Sequence, residues 1–108
     1  MDQAAKDAIV AQIRVTHPGV DLYEYSSASA GKFFVFRRCE RGERVIYHKL
    51  IAEKKTLDAM DCLMGCVLYP AKEDLARELD SAPFAINGLA DKIVEESGVY
   101  MDAISRKL

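Results

Sequence analysis

The chain has 108 residues and a formal net charge of −2, with 50% hydrophobic and 30% charged side chains. That is the size of one domain, with enough apolar material for a core and too much for a disordered chain. No apolar run approaches the ~18 residues of a membrane span, and the opening MDQAAKDAIVAQIR lacks the basic start and apolar stretch of a secretion signal.

Three cysteines are too few for a disulfide scaffold. The expectation is therefore a reduced, cytoplasmic protein forming a single domain over residues 1–108.

Residues 2–16 have the spacing of a helix. Asp2 suits its N-terminus, and Ala5, Ala8, Ile9, Gln12, Ile13 and Thr16 recur at intervals of three and four. The stripe is thin and mostly alanine, so this helix needs a partner surface. His17-Pro18-Gly19 stops it.

Residues 21–52 are expected to form a three-stranded antiparallel meander. DLYEYS is the first strand, SSASAG a small-residue loop, and KFFVFRRC an aromatic and β-branched central strand. ERGE holds the glycine of a tight turn, and RVIYHKLIA is expected as the third strand. Along the central strand Phe34 and Phe36 fall on one side, Phe33 and Val35 on the other. Both sides begin apolar, so the strand is expected to be covered twice or paired in an oligomer.

Residues 56–108 are expected to be helical. Thr56 is the expected cap of a helix over 57–68, striped by Leu57, Met60, Met64, Val67 and Leu68, with Cys62 and Cys66 one turn apart. Tyr69-Pro70 ends this segment or begins the next, with Pro70 suited to a first helical position. Residues 73–79 make a short helix. Ser81 is the expected cap of the clearest helix, in which Ile86, Leu89, Ala90, Ile93 and Val94 fill one face and Gly98 marks the stop. Residues 99–108 are expected to form a final short helix. The fold class is thus α+β: an N-terminal helix, a three-stranded antiparallel meander, and a C-terminal bundle of three to four short helices.

Charge is unevenly spread. Residues 1–55 carry 10 basic and 7 acidic side chains, and residues 56–108 carry 5 and 10. Arg37, Arg38, Arg41 and Arg44 are a candidate electrostatic contact, but Glu40 and Glu43 interleave them and the pI is about 5.7. Nucleic-acid binders usually have a domain pI above ~9, so no nucleic-acid partner is expected. The asymmetry suits self-association.

No catalytic constellation emerges. Cys39, Cys62, Cys66, His17 and His48 do not match the spacing of a zinc motif, and free cysteine packs well as a small core residue. Neither histidine has a sequence context that pairs it with a thiol as base. Asp58 with Asp61, and Glu73 with Asp74, suit the first turns of helices. Glycines are dispersed, which excludes a phosphate-cradling loop. The expectation is no enzyme, no cofactor and no metal. Met60, Met64, Tyr69, Phe84 and Met101 are the candidate partner-binding residues, since methionine-rich surfaces adapt to varied partners.

Residues 61–98 read CVLYP and then LARELDSAPFAINGLADKIVEESG, and KFFVFRRCERGERVIYHKL precedes them. This resembles small tailed-bacteriophage proteins of the tail assembly chaperone type. Those join a small β-element to helices through a cysteine-or-valine-to-proline junction, a proline-bounded helix and a terminal I…SG. The resemblance covers the last half of the chain and rests on pattern, with no catalytic signature to transfer. It implies a non-enzymatic protein that binds the helical tape measure protein, keeps it soluble, meets tail tube subunits and self-associates in the host cytoplasm. The alternatives are a phage-encoded inhibitor or regulator that docks on a host complex, or a small structural virion protein.

Overall fold

Strand β2 (Lys32–Arg37) organises the molecule, because KFFVFR has no polar face to turn toward water. A computed structural model describes residues 2–27, 31–81 and 85–98. In it β2 is the middle of a three-stranded antiparallel sheet, flanked by β1 (Leu22–Ser27) and β3 (Val67–Tyr69). Tyr23 pairs with Phe36 and Tyr25 with Phe34, and the first pair stacks at 5.6 Å between ring centroids.

Alternation along β2 splits the core in two. Phe34 and Phe36 enter the larger cluster with Leu63, Leu75, Leu89, Ala90, Ile93 and Val94. Those residues come from α3 (Thr56–Met64), α4 (Lys72–Ser81) and α5 (Ala85–Glu96). Phe33 and Val35 face the other way and meet Ile13 of α1 (Gln3–Thr16), with Ile9, Val10, Leu22, Leu68 and Tyr69 around them. The central strand is covered on both sides, as its sequence requires.

Asp2 caps α1 by accepting a hydrogen bond from the Ala5 N–H at 2.8 Å. The inward face of α1 is Ile9, Val10 and Ile13, while Ala5, Ala8, Gln12 and Thr16 of the expected stripe are exposed. Ile9, Val10 and Ile13 are large enough to reach the sheet, so they set the rotation of the helix.

The expected third strand is a helix. α2 spans Arg41–Ala52, and the strand that completes the sheet is β3, beyond α3. The β-branched and aromatic content of RVIYHKLIA suggested a strand, but its half-buried positions are Glu43, Arg44, Tyr47 and Leu50, which is helical spacing. ERGE is a helix start rather than a hairpin turn: the Glu43 carboxylate accepts the Glu40 N–H at 2.7 Å.

α2 and α3 form a helical hairpin inserted between β2 and β3. Lys54, at φ 61°, takes the left-handed slot after α2, and the Lys55 N–H closes onto the Leu50 carbonyl at 2.9 Å. Lys55, not Thr56, occupies the N-cap position of α3. α3 ends at Met64, so Val67 and Leu68 leave the expected helix and join the sheet. Ser81 closes α4 and donates to the Glu78 carbonyl, rather than capping α5. Pro70 is buried and precedes α4, which begins at Lys72. The expected face of α5 is buried at Leu89, Ala90, Ile93 and Val94, with Ile86 half-buried, and Gly98 adopts a positive φ of 73° just past its end. The helix expected over residues 99–108 lies outside the described residues. Among the described residues no helix is long and apolar enough to cross a membrane.

Candidate functional site

Two features meet at the α2–α3 hairpin: a polar cluster at its base and apolar side chains on its outside. The base forms where the chain leaves β2 and where it returns after α3. Cys39 follows β2, Glu43 sits in the first turn of α2, and Cys66 lies between α3 and β3. The backbone N–H of Arg37 donates to the Cys66 carbonyl at 3.0 Å, which brings both chain segments together.

The Arg37 guanidinium grips Glu43 with two hydrogen bonds, Nη1 to Oε1 at 2.7 Å and Nη2 to Oε2 at 3.0 Å. Fork-to-fork pairing of this kind fixes orientation as well as charge. It holds the Glu43 carboxyl below its usual range and the guanidinium above its own. Beside the pair, Cys39 Sγ and Cys66 Sγ lie 3.0 Å apart. Cys66 Sγ is also 3.8 Å from Glu43 Oε2. Its hydrogen bond with Cys39 brings the Cys39 thiol down to about 7, against the opposing effect of burial. That same contact, burial and the nearby carboxylate push the Cys66 thiol up. The Cys39 N–H donates to Ser97 Oγ at 2.8 Å, so the end of α5 steadies the site.

Cys62 is half-buried and approaches the Glu43 carbonyl at 3.6 Å, and burial pushes its thiol up. The pairing of Cys62 with Cys66 read from helical spacing is not the one formed, because α3 stops before Cys66. His17 closes α1 and His48 is exposed on α2. Neither belongs to the group of ligand atoms within 4.8 Å of one another that the described residues form, which is Cys39, Glu43 and Cys66. This group fits a zinc ion poorly. Tetrahedral zinc thiolates with Zn–S of ~2.3 Å stand ~3.8 Å apart, and here both Glu43 oxygens already hold Arg37.

The arginines have distinct surroundings. Arg37 is in the cluster, Arg44 donates to the Cys39 carbonyl at 3.1 Å, Arg38 lies 5.5 Å over the Tyr23 ring, and Arg41 is exposed. Arg37 and Arg44 therefore brace the base of the hairpin. Met60 and Met64 are half-buried against the larger core cluster. Tyr69 is half-buried with its ring 5.9 Å from Phe33. Phe84 and Met101 lie outside the described residues.

The large exposed apolar side chains concentrate elsewhere, on the hairpin. Val45, Ile46 and Ile51 of α2 and Leu57 of α3 are exposed, Leu57 by 81%. Residues 37–55 also carry seven Arg or Lys against three Glu. Leu57 belonged to the expected stripe of α3 but is exposed because that helix buries Ala59 and Leu63, and the exposure of Ile51 depends on 41–52 being a helix.

No family model, no curated protein and no solved structure matches the chain.

Proposed function

We propose that the protein is a non-enzymatic, protein-binding module of the tail assembly chaperone kind, which takes up a helical segment of a tape measure protein on its α2–α3 hairpin. The observation that carries this reading is the set of exposed Val45, Ile46, Ile51 and Leu57 on one helical hairpin. Monomeric soluble proteins expose single apolar residues freely, but several on one supersecondary unit mark a contact surface. A helix with an apolar face fits between two others by ordinary ridge-and-groove packing. The basic excess of residues 37–55 selects a partner with acidic flanks. Burial at ~25 cal/mol per Å² supplies the driving force.

The test is co-expression with a helical tape measure fragment that aggregates alone. Wild-type protein is expected to keep the fragment soluble. Ile46→Glu with Leu57→Glu is expected to lower its recovery at least tenfold, while circular dichroism and melting stay near wild type. Equal recovery with a folded double variant sinks the reading. A loss confined to Arg41→Glu, steep in salt, would favour the regulator that docks on a host complex.

A further inference from the structure

Cys39 and Cys66 occupy the two ends of the helical hairpin, one before Glu40 caps α2 and the other after Gly65 ends α3. Their sulfurs are 3.0 Å apart, and the residues are 2% and 0% exposed. Cysteines brought together across 27 positions of chain are not explained by packing alone, since two small apolar residues would fill the space as well. We propose that Cys39 and Cys66 are a peroxide-oxidisable dithiol whose disulfide pins the base of the α2–α3 hairpin to the sheet.

The surroundings divide the roles. Cys66 Sγ lies 3.0 Å from Cys39 Sγ and 3.8 Å from a Glu43 carboxylate oxygen, which disfavours a negative sulfur at Cys66. Cys39 is the sulfur that more readily gives up its proton at neutral pH. The thiolate is the nucleophile in such chemistry, so Cys39 attacks first and Cys66 resolves. The oxidant is a peroxide, small and uncharged enough to reach two buried sulfurs. Cys39 Sγ attacks one peroxide oxygen; an S–O bond forms, the O–O bond breaks, and the leaving hydroxide takes the proton lost from Cys39 to become water. Cys66 Sγ then attacks Cys39 Sγ; the S–S bond forms, the S–O bond breaks, and the second hydroxide takes the Cys66 proton. Two thiols and one hydrogen peroxide give one disulfide and two waters. The two sulfurs together lose two electrons, and the peroxide gains them. The metal reading is weaker at this position, because Arg37 already supplies the cation that Glu43 holds.

The dithiol stands whichever partner the hairpin meets. Its test uses the full chain, reduced and then exposed to hydrogen peroxide, with free thiols counted by alkylation and mass. Three labels are expected before exposure and one after, with a peptide map joining Cys39 to Cys66 within one chain and reversal by dithiothreitol. Cys62→Ala is expected to react within about twofold of wild type. Cys66→Ser is expected to stop at a sulfenic acid on Cys39, trapped by dimedone. Closing this loop is expected to raise the melting temperature by roughly 5–15 °C. The proposal falls if all three labels persist in wild type, or if the cross-link uses Cys62 or joins two chains. Stoichiometric zinc that must be stripped before the thiols label would replace the dithiol with a metal site.

Discussion

The two faces of β2 are built from the same strand, yet they support very different amounts of structure. Among the described residues, Phe34 and Phe36 belong to a cluster of ten buried residues, whereas Phe33 and Val35 share theirs with Ile13. The difference lies in what each face meets. Three helices supply leucine, isoleucine and valine to the first face. Among the described residues α1 is the helix that supplies the second, and four of its fourteen residues are alanine. A groove of about 370 Å³ remains between α1 and β1, bordered by Val10, Leu22, Tyr23 and Val35. The thick face also holds the buried ends of the hairpin, with Cys39 and Cys66 inside the cluster. Strand composition sets how much apolar surface must be covered, but the helix residues decide how well.

The sharpest way to break this comparison is to truncate one phenylalanine from each face. Phe36→Ala removes a ring that is 1% exposed within the larger cluster, and is expected to cost about 3–5 kcal/mol. Phe33→Ala lies in the smaller cluster under α1, and is expected to cost roughly half that. Urea denaturation with unchanged m-values is the measurement. Equal losses at the two positions would show that α1 packs as firmly as the three-helix side.

On the thick face the α5 stripe was legible in the sequence, but the α3 stripe was not: that helix buries Ala59 and Leu63, and Leu57 of the expected stripe is exposed. The α5 pattern of Ile86, Leu89, Ala90, Ile93 and Val94 and the doubly apolar β2 depend on local periodicity, and the Asp2 cap of α1 on a single local residue, all of which a sequence carries openly. The α2 helix was hidden because Val45, Ile46, Tyr47 and Ile51 favour strands, while the deciding contacts of Glu43 and Tyr47 are tertiary. The real third strand was hidden for the opposite reason. Val67 and Leu68 continue the apolar spacing of Met60 and Met64, and only the break at Gly65 separates them. The cluster at the hairpin base needed both corrections at once. Arg37 and Glu43 face each other only if a helix starts at residue 41, and Cys66 reaches Cys39 only if α3 has already ended.

The Arg37–Glu43 pair tests the thick face at its rim, with a smaller expected effect. Glu43 has a lower pKa folded than unfolded, chiefly through its hydrogen bonds from Arg37. Its contribution is therefore complete above the ordinary carboxylate range and is lost as pH falls through the folded value. Around the carboxylate stand Arg37, the Glu40 N–H and the Cys66 thiol, with Cys39 behind. Glu43→Gln is expected to lower stability by about 1–3 kcal/mol at pH 7. The gap from wild type is expected to narrow as the pH falls below the ordinary carboxylate range. Parallel melting curves across that range would mean that the ion pair adds nothing to the rim.

The smallest effect belongs to the thin face. The Lys6 ammonium lies 5.2 Å from the centre of the Phe33 ring and 3.5 Å from Ser26 Oγ. A half-exposed cation over an aromatic ring contributes about 0.5–1 kcal/mol, and the lysine stem shields the ring edge as well. Lys6→Met keeps most of the stem and removes the charge, so it is expected to cost at most ~0.5–1 kcal/mol. The informative measurement is a double-mutant cycle with Phe33→Leu, which keeps an apolar side chain and deletes the ring. A coupling near the full single-mutant loss would assign the contact to the ring's electrostatics. Vanishing coupling would leave α1 held to the sheet by Ile9, Val10 and Ile13 alone. The thin face would then be the part of the molecule that opens first, which amide exchange in β1 and α1 reads directly.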